Sequence, residues 1–323
     1  MAVRTPGWKI GIICAMTIEE LNGYVDSGEI DEVIRVAEAR QCKALSHIAD
    51  EITGRRSVRL VLLAGASSAG KTTTAKRLCT QIRVNGLAAM HLSTDDYFVG
   101  DARNPRDENG ELDYETIECV DMERLAEDLN ALTRGEAIHA RRFDFVKHDG
   151  FDDPGLTRLP KGGIIVLEGL HAMNPRLVRD VPDDVKYRLF IEPQTQPEVF
   201  ATTRLTPQDA RLLRRLVRDH QFRKMTPATT FAMWPKVLAG EKLWIDPFRS
   251  NADREFDSGL EYELAVIKPY VAGLLERMRR ADPDCIKAQM LADLLSCVHE
   301  TGPGVVPGDS ILRETIGGSQ LEY

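Results

Sequence analysis

Long apolar runs are missing from this sequence, and so is the layout of a secretory signal. No stretch approaches the ~20 consecutive apolar residues that a membrane-spanning helix requires. Residues 1–8 do not show the charged-then-apolar order of a signal peptide, and the apolar stretch at 10–16 is too short to serve as one. We therefore expect a cytoplasmic protein that has no membrane partner.

Closely paired cysteines are also missing, although the chain contains six cysteines. Their scattered positions predict neither a disulfide framework nor a zinc site, and favour reduced thiols in a cytosol-like compartment. These residues are Cys14, Cys42, Cys79, Cys119, Cys285 and Cys297.

Positive charge is in deficit, because 42 lysines and arginines face 50 aspartates and glutamates, for a net charge of -8. A general nucleic-acid-binding protein is normally basic, so we expect no nucleic-acid partner. An acidic protein can still bind phosphate groups where its cations are concentrated, as they are in residues 211–223.

The pattern of the chain changes near residue 56. Before this point, apolar residues such as Ile30, Val33, Ile34 and Ala37 recur at helical spacing. After it, short apolar runs alternate with helical segments, and the last part of the chain is helical and then rich in proline and glycine. We therefore predict a helical lead-in at 1–55, a catalytic domain at 56–281 and a helical C-terminal extension at 282–323.

Four apolar runs in the middle region are typical of buried strands, and helical patterns separate them. This order predicts an α/β fold with a mainly parallel sheet flanked by helices. The strands are expected at 58–64, 87–93, 163–167 and 187–191, the helices at 71–84, 122–134 and 207–222, and a helical tail from 262 to 299. Polar, turn-rich segments at 104–118 and 147–161 are interpreted as substrate loops or lids.

A phosphate-binding turn lies between the first strand and the first of these helices. The sequence fits G-x-x-x-x-G-K-[ST], and the strand and helix around it are the context that this motif requires. Glycines let the backbone N–H groups surround a phosphate, Lys71 adds charge for the β- and γ-phosphates, and the Thr72 hydroxyl can bind magnesium. We assign nucleotide binding to Gly65, Ala66, Ser67, Ser68, Ala69, Gly70, Lys71, Thr72 and Thr73.

Acidic residues follow the second and third predicted strands. Asp95 lies just past the second, and Glu168 ends the third. Ligands of open α/β sheets gather at the carboxyl ends of the strands, where these acids and Thr72 could hold magnesium and accept a proton from an attacking alcohol. A capping role for the next helix is the alternative, and Asp96 is better explained in that way.

A run of arginines lies on one face of the helix predicted at 207–222. This face carries few acidic residues, only Asp209 and Asp219, so we expect unpaired arginines that face a cleft and neutralise a transferring phosphate. A solvent-exposed charged face is the alternative. The arginines are Arg211, Arg215 and Arg218 at i, i+4 and i+7, with Arg214 beside them and Arg223 one turn later.

Several of these segments together resemble the uridine kinase/phosphoribulokinase family of P-loop kinases. The segments are 95–98 (DDYF), 143–145 (FDF) followed by His148, 168–171 (EGLH), and the arginine-rich 209–219, which resembles the lid helix of that family. The closer likeness is to a bacterial-type uridine kinase-like branch of that family, which also carries blocks similar to 226–234, 261–264, 310–314 and 316–319. The likeness runs from about residue 28 to the end of the chain. It implies a P-loop NTPase fold of the nucleoside-kinase type with an arginine lid helix, and the use of ATP and Mg²⁺.

The resemblance also implies roles for individual residues. Asp95 would be the general base, with Lys71, Arg211, Arg215 and Arg218 stabilising charge, and Thr72, Asp95 and Glu168 would hold the metal. Substrate contacts would come from Asp113 on a ribose, from Phe143 and His148 on a base, and from His171 and Arg223. The sequence departs from the family pattern in having no tyrosine at 143 and no His-Pro after Asp113.

These observations predict a kinase that transfers the terminal phosphoryl group of ATP to a small hydroxyl acceptor, the 5′-hydroxyl of uridine or cytidine. A phosphoribulokinase-like enzyme acting on another polyol or sugar phosphate is the second hypothesis. An ATP-binding regulator without kinase activity is the third. The sequence leaves open the choice between ATP and GTP and the oligomeric state, a homo-oligomer included.

Overall fold

A computed structural model describes residues 16–144, 147–200 and 203–322 of the chain. Its helices are α1 (Ile18–Ser27), α2 (Ile30–Gly54), α3 (Lys71–Val84), α4 (Met122–Thr133), α5 (Pro207–Phe222), α6 (Pro227–Trp244), α7 (Asp246–Arg249), α8 (Glu263–Ala281), α9 (Ile286–Ser296) and α10 (Arg313–Ile316). Its strands are β1 (Leu60–Ala64), β2 (Ala89–Ser93), β3 (Ala137–Asp144), β4 (Asp149–Arg158), β5 (Ile164–Gly169), β6 (Lys186–Glu192), β7 (Glu198–Phe200), β8 (Thr203–Arg204) and β9 (Arg254–Asp257).

Five strands form the central sheet, in the order β2-β5-β1-β6-β9. Every neighbouring pair in it is parallel. Ala64 lies opposite Gly169, and Ser93 lies opposite Glu168, so the carboxyl ends of β1, β2 and β5 meet at one edge. The prediction of an α/β fold with a mainly parallel sheet flanked by helices is confirmed.

The strands form because their residues suit a sheet that is covered on both faces. All five residues of β1 and all six of β5 are buried. A continuous apolar run is what such a position requires, since neither face meets water. On one face, Leu45 and Ile52 of α2 pack with Leu63 of β1 and Leu78 of α3.

Residues 147–161, interpreted above as a turn-rich loop, contain a strand, and that interpretation is wrong in this respect. Strand β4 pairs antiparallel with β3, with Phe143 opposite Gly150. The strand is largely exposed, so it lacks the apolar pattern that would have revealed it. Its backbone hydrogen bonds to β3 hold it in place despite several glycine, aspartate and proline residues.

The helical tail expected at 262–299 is two helices, because the chain leaves the helical path between α8 and α9 at Asp282 and Pro283. The residue before a proline is disfavoured in the helical region, and Asp282 accordingly has a non-helical φ of -140° and ψ of 89°. In the part of the chain that the structure describes, no helix is both long and apolar enough to cross a membrane.

Candidate functional site

The phosphate-binding turn connects β1 to α3, as the motif predicts. Gly65 is required by space, because a Cβ atom there would lie 2.4 Å from the carbonyl oxygen of Ile191. Gly70 has a φ of 87°, which disfavours other residues, and it places the first amides of α3 at the turn. The positive end of a helix therefore opens onto the position expected for a phosphate.

Lys71 lies at this turn with its ammonium group bound to the turn itself. Its Nζ donates a hydrogen bond to the carbonyl oxygen of Ala66, at 3.1 Å. Burial lowers the pKa of Lys71, and the charges of Glu168 and Asp95 oppose that shift. The two acids predicted from the strand ends are therefore close enough to act on the lysine.

Glu168 and Thr72 are in direct contact. The Thr72 hydroxyl donates to Glu168 Oε1 at 3.0 Å, and His91 Nε2 lies 3.5 Å from the same oxygen. Although burial alone would raise the pKa of Glu168, the neighbouring His91 ring and the charge of Lys71 hold it below its usual range. A lowered pKa favours the carboxylate form, which suits the binding of a cation.

The oxygens at this point suit magnesium, which prefers hard oxygen ligands and retains several waters or phosphate oxygens. Thr72 and Glu168 are joined by a hydrogen bond, and Asp95 acts electrostatically on both Glu168 and Lys71. Across residues 16–144, 147–200 and 203–322, no group of three or more His, Cys, Asp or Glu side chains could hold a metal ion. The protein would thus supply an incomplete ligand set, as magnesium sites with bound phosphates do.

Asp95 lies in a single 3₁₀ turn at 94–97, directly after β2. The Ser93 hydroxyl accepts a hydrogen bond from the Asp95 backbone N–H at 3.3 Å and fixes this turn. Burial and the charge of Glu168 raise the pKa of Asp95 to about 6, while Lys71 opposes the shift. The next residue, Asp96, is instead 3.5 Å from Arg142 on β3, so the two aspartates have different partners.

Phe143 and His148, which were predicted to contact a base, are connected through the rings of Phe98 and Tyr114. The ring of Phe143 meets Phe98 edge to face at 5.5 Å, and Phe98 lies 5.8 Å from Tyr114. The Tyr114 hydroxyl is 3.2 Å from His148 Nδ1. Phe143 and His148 therefore belong to one cluster. Its member Phe98 follows Asp95 by three residues in the chain. Phe145, quoted above for the resemblance, lies outside the described residues.

Asp113 and His171 both lie near Glu115, a carboxyl group that the sequence analysis missed. Asp113 accepts a hydrogen bond from the backbone N–H of Glu115 at 3.0 Å. Burial raises the pKa of Glu115 to about 7, with the charge of Arg215 opposing it. Burial, together with the charge of Lys71, lowers the pKa of His171 to about 4. The ring of His171 packs edge to face on Trp244, at 6.4 Å.

The arginines of α5 are placed on the phosphate-binding turn. Arg211 donates to the carbonyl oxygen of Ser67 at 3.3 Å, and Arg215 donates to the Ser67 hydroxyl at 2.9 Å. Arg214 reaches the carbonyl oxygen of Ser68 at 3.5 Å. The helix thus lies against the turn, as expected of a helix that contacts bound phosphates.

The expectation that these arginines are unpaired is wrong for most of them. Arg211 is fully buried and makes two 2.8 Å hydrogen bonds to Glu241. Arg214 is bound to Glu263 at 2.5 and 2.7 Å. These acids belong to α6 and α8, far along the chain, so the pattern within α5 could not reveal them.

Asp219 accounts for the pairing of two more arginines. Arg215 Nε lies 3.2 Å from Asp219, and Arg223 Nη1 lies 3.3 Å from it. The neighbouring charge of Arg218, with burial, lowers the pKa of Arg223 to about 10. One buried carboxylate therefore neutralises part of the arginine group.

Arg218 differs from the other four. Its nearest carboxylates in the described residues are Glu314 at 3.8 Å and Asp219 at 3.9 Å, and its buried Nε has no hydrogen-bond partner there. Among the arginines of α5, Arg218 therefore makes the weakest contacts with carboxylates of the protein.

Three residues of the site were given no role in the sequence analysis. His91 and Glu115 bear on the predicted acids, and Glu314 reaches the site from the C-terminal end of the chain. Because side chains alternate between the two faces of a strand, the pattern of β2 could have predicted on which face of the sheet His91 lies. Glu314 belongs to the terminal block 310–314, whose likeness to the family could have drawn attention to it, whereas nothing local marks Glu115.

A phosphate-binding turn between a parallel strand and a helix, faced by two acids and an arginine helix, defines the class of P-loop kinases. The sequence model of the Phosphoribulokinase / Uridine kinase family matches residues 60–265, and the chain belongs to that family.

Individual relatives are distant. The chain is 26% identical to a uridine kinase of Halalkalibacterium halodurans over 214 residues, which cover 66% of this chain and 92% of the relative. It is 25% identical to a uridine kinase of Aeromonas salmonicida over 215 residues, with 66% and 92% covered. Among solved structures, that of a possible uridine kinase from Bacillus stearothermophilus is 17% identical, covers 62% of this chain and 89% of that chain, and superposes with a TM-score of 0.41.

Proposed function

We propose that this chain transfers the terminal phosphoryl group of ATP to the 5′-hydroxyl of a pyrimidine nucleoside, uridine or cytidine, to give the monophosphate. The observation that carries this proposal is the meeting of Lys71, Thr72, Glu168 and Asp95 at one edge of the sheet. Phosphoryl transfer requires positioning and neutralisation of charge more than covalent chemistry, and these residues supply both.

The triphosphate would be held at the turn from 65 to 70. Backbone amides at the start of α3 and the Lys71 ammonium bind phosphate oxygens, and Arg218 and Arg215 approach from α5. Arg211 and Arg214 act differently in this account, because their guanidinium groups are bound to Glu241 and Glu263. They position α5 on the turn and do not touch the substrate.

Thr72, Asp95 and Glu168 would hold magnesium. When bound, the ion neutralises charge on the phosphates. Asp95 takes the proton from the acceptor hydroxyl as the oxygen attacks. Its pKa of about 6 leaves the carboxylate ionised near neutral pH and more basic than an ordinary aspartate, which suits a general base.

The acceptor would lie between Asp95 and the aromatic cluster. Asp113 would bind the ribose hydroxyls, and Phe143 and His148 would contact the base, with His171 and Arg223 at the border of the site. The names of the relatives support a nucleoside acceptor. Glu115 adds a carboxyl group beside Asp113, in a segment that departs from the family pattern.

A phosphorylated acceptor is the second candidate, and it would need free basic residues near Asp113. The four arginines that could serve each have a contact within the protein, which a phosphorylated acceptor would have to replace. Arg103 contacts Asp121, Arg106 contacts Gly110, Arg141 contacts Asp152 and Arg142 contacts Asp96.

A panel of acceptors tested by ADP release separates the hypotheses. Uridine, cytidine, other nucleosides, sugars and sugar phosphates are each added to the protein with MgATP. We expect ADP release to depend on a pyrimidine nucleoside, and mass spectrometry to find its 5′-monophosphate.

Two results would oppose this proposal. Release that depends on a sugar phosphate would identify the second candidate. Slow hydrolysis of ATP that no metabolite alters would identify a nucleotide-binding regulator. A Lys71→Met variant is the control, because loss of the phosphate-binding ammonium removes transfer under every kinase hypothesis.

A further inference from the structure

The C-terminal segment 310–316 lies directly on the phosphate-binding turn. Ile311 is buried, and a Cβ atom placed on Gly70 would be 2.5 Å from its Cγ2 atom. Burial of this isoleucine fixes the segment at the point where the turn becomes α3. The C-terminal end of the chain is therefore part of the wall of the site.

Hydrogen bonds hold this segment firmly. The buried Ser310 hydroxyl donates to Glu38 Oε1 at 2.5 Å, and the Tyr262 hydroxyl donates to the same oxygen at 2.5 Å. Arg313 donates to the carbonyl oxygens of Val306 at 2.6 Å and of Pro303 at 3.0 Å. The segment is thus tied to α2, to α8 and to the chain that precedes it.

Glu314 projects from this fixed segment into the phosphate-binding region. The Thr73 hydroxyl, in the first turn of α3, donates to Glu314 Oε2 at 3.1 Å. The other carboxylate oxygen lies 3.8 Å from Arg218 Nη1. One carboxylate therefore contacts both the helix that receives phosphates and the arginine that is least paired with other acids.

The position of Glu314 has an electrostatic consequence. The N-terminus of a helix attracts anions, and here a carboxylate of the chain itself is bound at that end. Its charge also reaches Lys71, on which it acts to keep the ammonium protonated. A triphosphate brings several negative charges to the same place, where this carboxylate repels them.

We propose that Glu314 is a resident counter-anion of the phosphate site, which holds Thr73 and Arg218 at the turn and weakens triphosphate binding. This inference rests on the proposed binding of ATP at the turn. In the absence of nucleotide, the carboxylate balances part of the cluster of cations. When a triphosphate binds, Arg218 exchanges Glu314 for phosphate oxygens, and the remaining repulsion limits affinity.

The Glu314→Gln variant tests the proposal, because the amide keeps an oxygen that can accept from Thr73 and removes only the charge. Isothermal titration measures the Kd of the full chain for MgATP and for inorganic triphosphate with magnesium, at low and high salt. We expect both ligands to bind about three- to tenfold more tightly to the variant, with a gain that shrinks at high salt.

Asp309→Asn is the matched control. It removes one negative charge five residues away, from an exposed side chain that lies 4.0 Å from Arg77 and makes no contact with the turn. We expect its Kd values to equal those of the wild type. Glu314→Ala gives the same direction of change if the glutamine variant fails to fold.

The outcomes separate the inference from the function on which it rests. Unchanged or weaker binding in the Glu314 variants, a gain for ATP without one for inorganic triphosphate, or an equal gain in Asp309→Asn would each overturn the inference. A wild-type protein that binds neither ligand would contradict the proposed function instead.

Discussion

Arg218 and Arg211 belong to the same face of α5, yet their surroundings give them opposite roles. Arg211 is fully buried and bound to Glu241, whereas Arg218 approaches carboxylates no closer than 3.8 Å in the described residues. Arg218→Ala should lower kcat at least about 100-fold, because charge on the transferred phosphoryl group is no longer neutralised. Its free energy of unfolding should change less than that of Arg211→Ala, because Asp219 and Glu314 keep other hydrogen-bond partners.

Arg211→Ala is the matched comparison. It leaves Glu241 buried without its partner, which should reduce the free energy of unfolding by about 3–5 kcal/mol. Steady-state ADP release and urea titration of both variants check the pair. The reverse pattern, a stable but inactive Arg211→Ala and a destabilised Arg218→Ala, would show that the two roles are exchanged.

His171 should make stability depend on pH. Its pKa is lowered from 6.5 to about 4 in the folded protein. Between these two pH values, His171 is therefore protonated in the unfolded chain but neutral in the folded chain. The free energy of unfolding should therefore fall as the pH drops from about 6.5 to about 4, by roughly 2–4 kcal/mol from this residue. Above pH 6.5 this residue contributes no further change.

The test compares urea unfolding at several pH values in the wild type and in His171→Leu. The variant should lose that share of the pH dependence, because leucine does not titrate and has a similar volume. Identical pH profiles for His171→Leu and the wild type would show that folding does not lower the pKa of His171.

Among single residues, the sequence predicts those that a short motif defines. Lys71, Thr72, Asp95 and Glu168 could be identified because a strand end or a glycine turn marks each of them. The partners of Arg211 and Arg214 could not, since Glu241 and Glu263 lie 30 and 49 residues away in the chain. Pairing across such separations depends on how helices pack, and no local pattern encodes it.

At the scale of elements, α2 is one of the helices that pack on the central sheet. Leu45 is fully buried and packs in the same cluster as Val61 of β1 and Leu78 of α3. Leu45→Ala should lower the free energy of unfolding by about 2–5 kcal/mol, because it leaves a cavity in that cluster.

Urea unfolding of Leu45→Ala and of Lys43→Ala checks this role. Lys43 is exposed on the same helix, so its replacement should change stability by no more than about 0.5 kcal/mol. A Leu45→Ala variant as stable as the wild type would show that α2 is not needed by the sheet.

The two kinds of strand explain which elements the sequence could predict. β1 and β5 are buried on both faces, so each is a continuous apolar run. β4 is exposed, and its glycines, aspartates and proline are typical of turns. It is a strand only because β3 lies beside it, which is a contact that the sequence does not display.

At the scale of the whole molecule, the two ends of the described chain contact each other, and the C-terminal end reaches the site. Asn22 of α1 donates to the carbonyl oxygen of Cys297 at 2.7 Å, and Glu38 of α2 binds Ser310. Glu314 then reaches Thr73. The divisions placed at 55/56 and 281/282 remain predictions, and the contacts across them connect both flanking stretches to the P-loop region.

The central claim is that the turn binds the triphosphate while Asp95 prepares the acceptor oxygen. Asp95→Asn separates these two roles, because asparagine keeps the shape of the side chain and cannot take up the proton.

The most direct measurement follows transfer of label from γ-labelled ATP to uridine or cytidine, with the Kd of MgATP determined on the same samples. For Asp95→Asn, transfer should fall at least about 100-fold while the Kd stays within about threefold of the wild type. Full transfer by this variant would contradict the account.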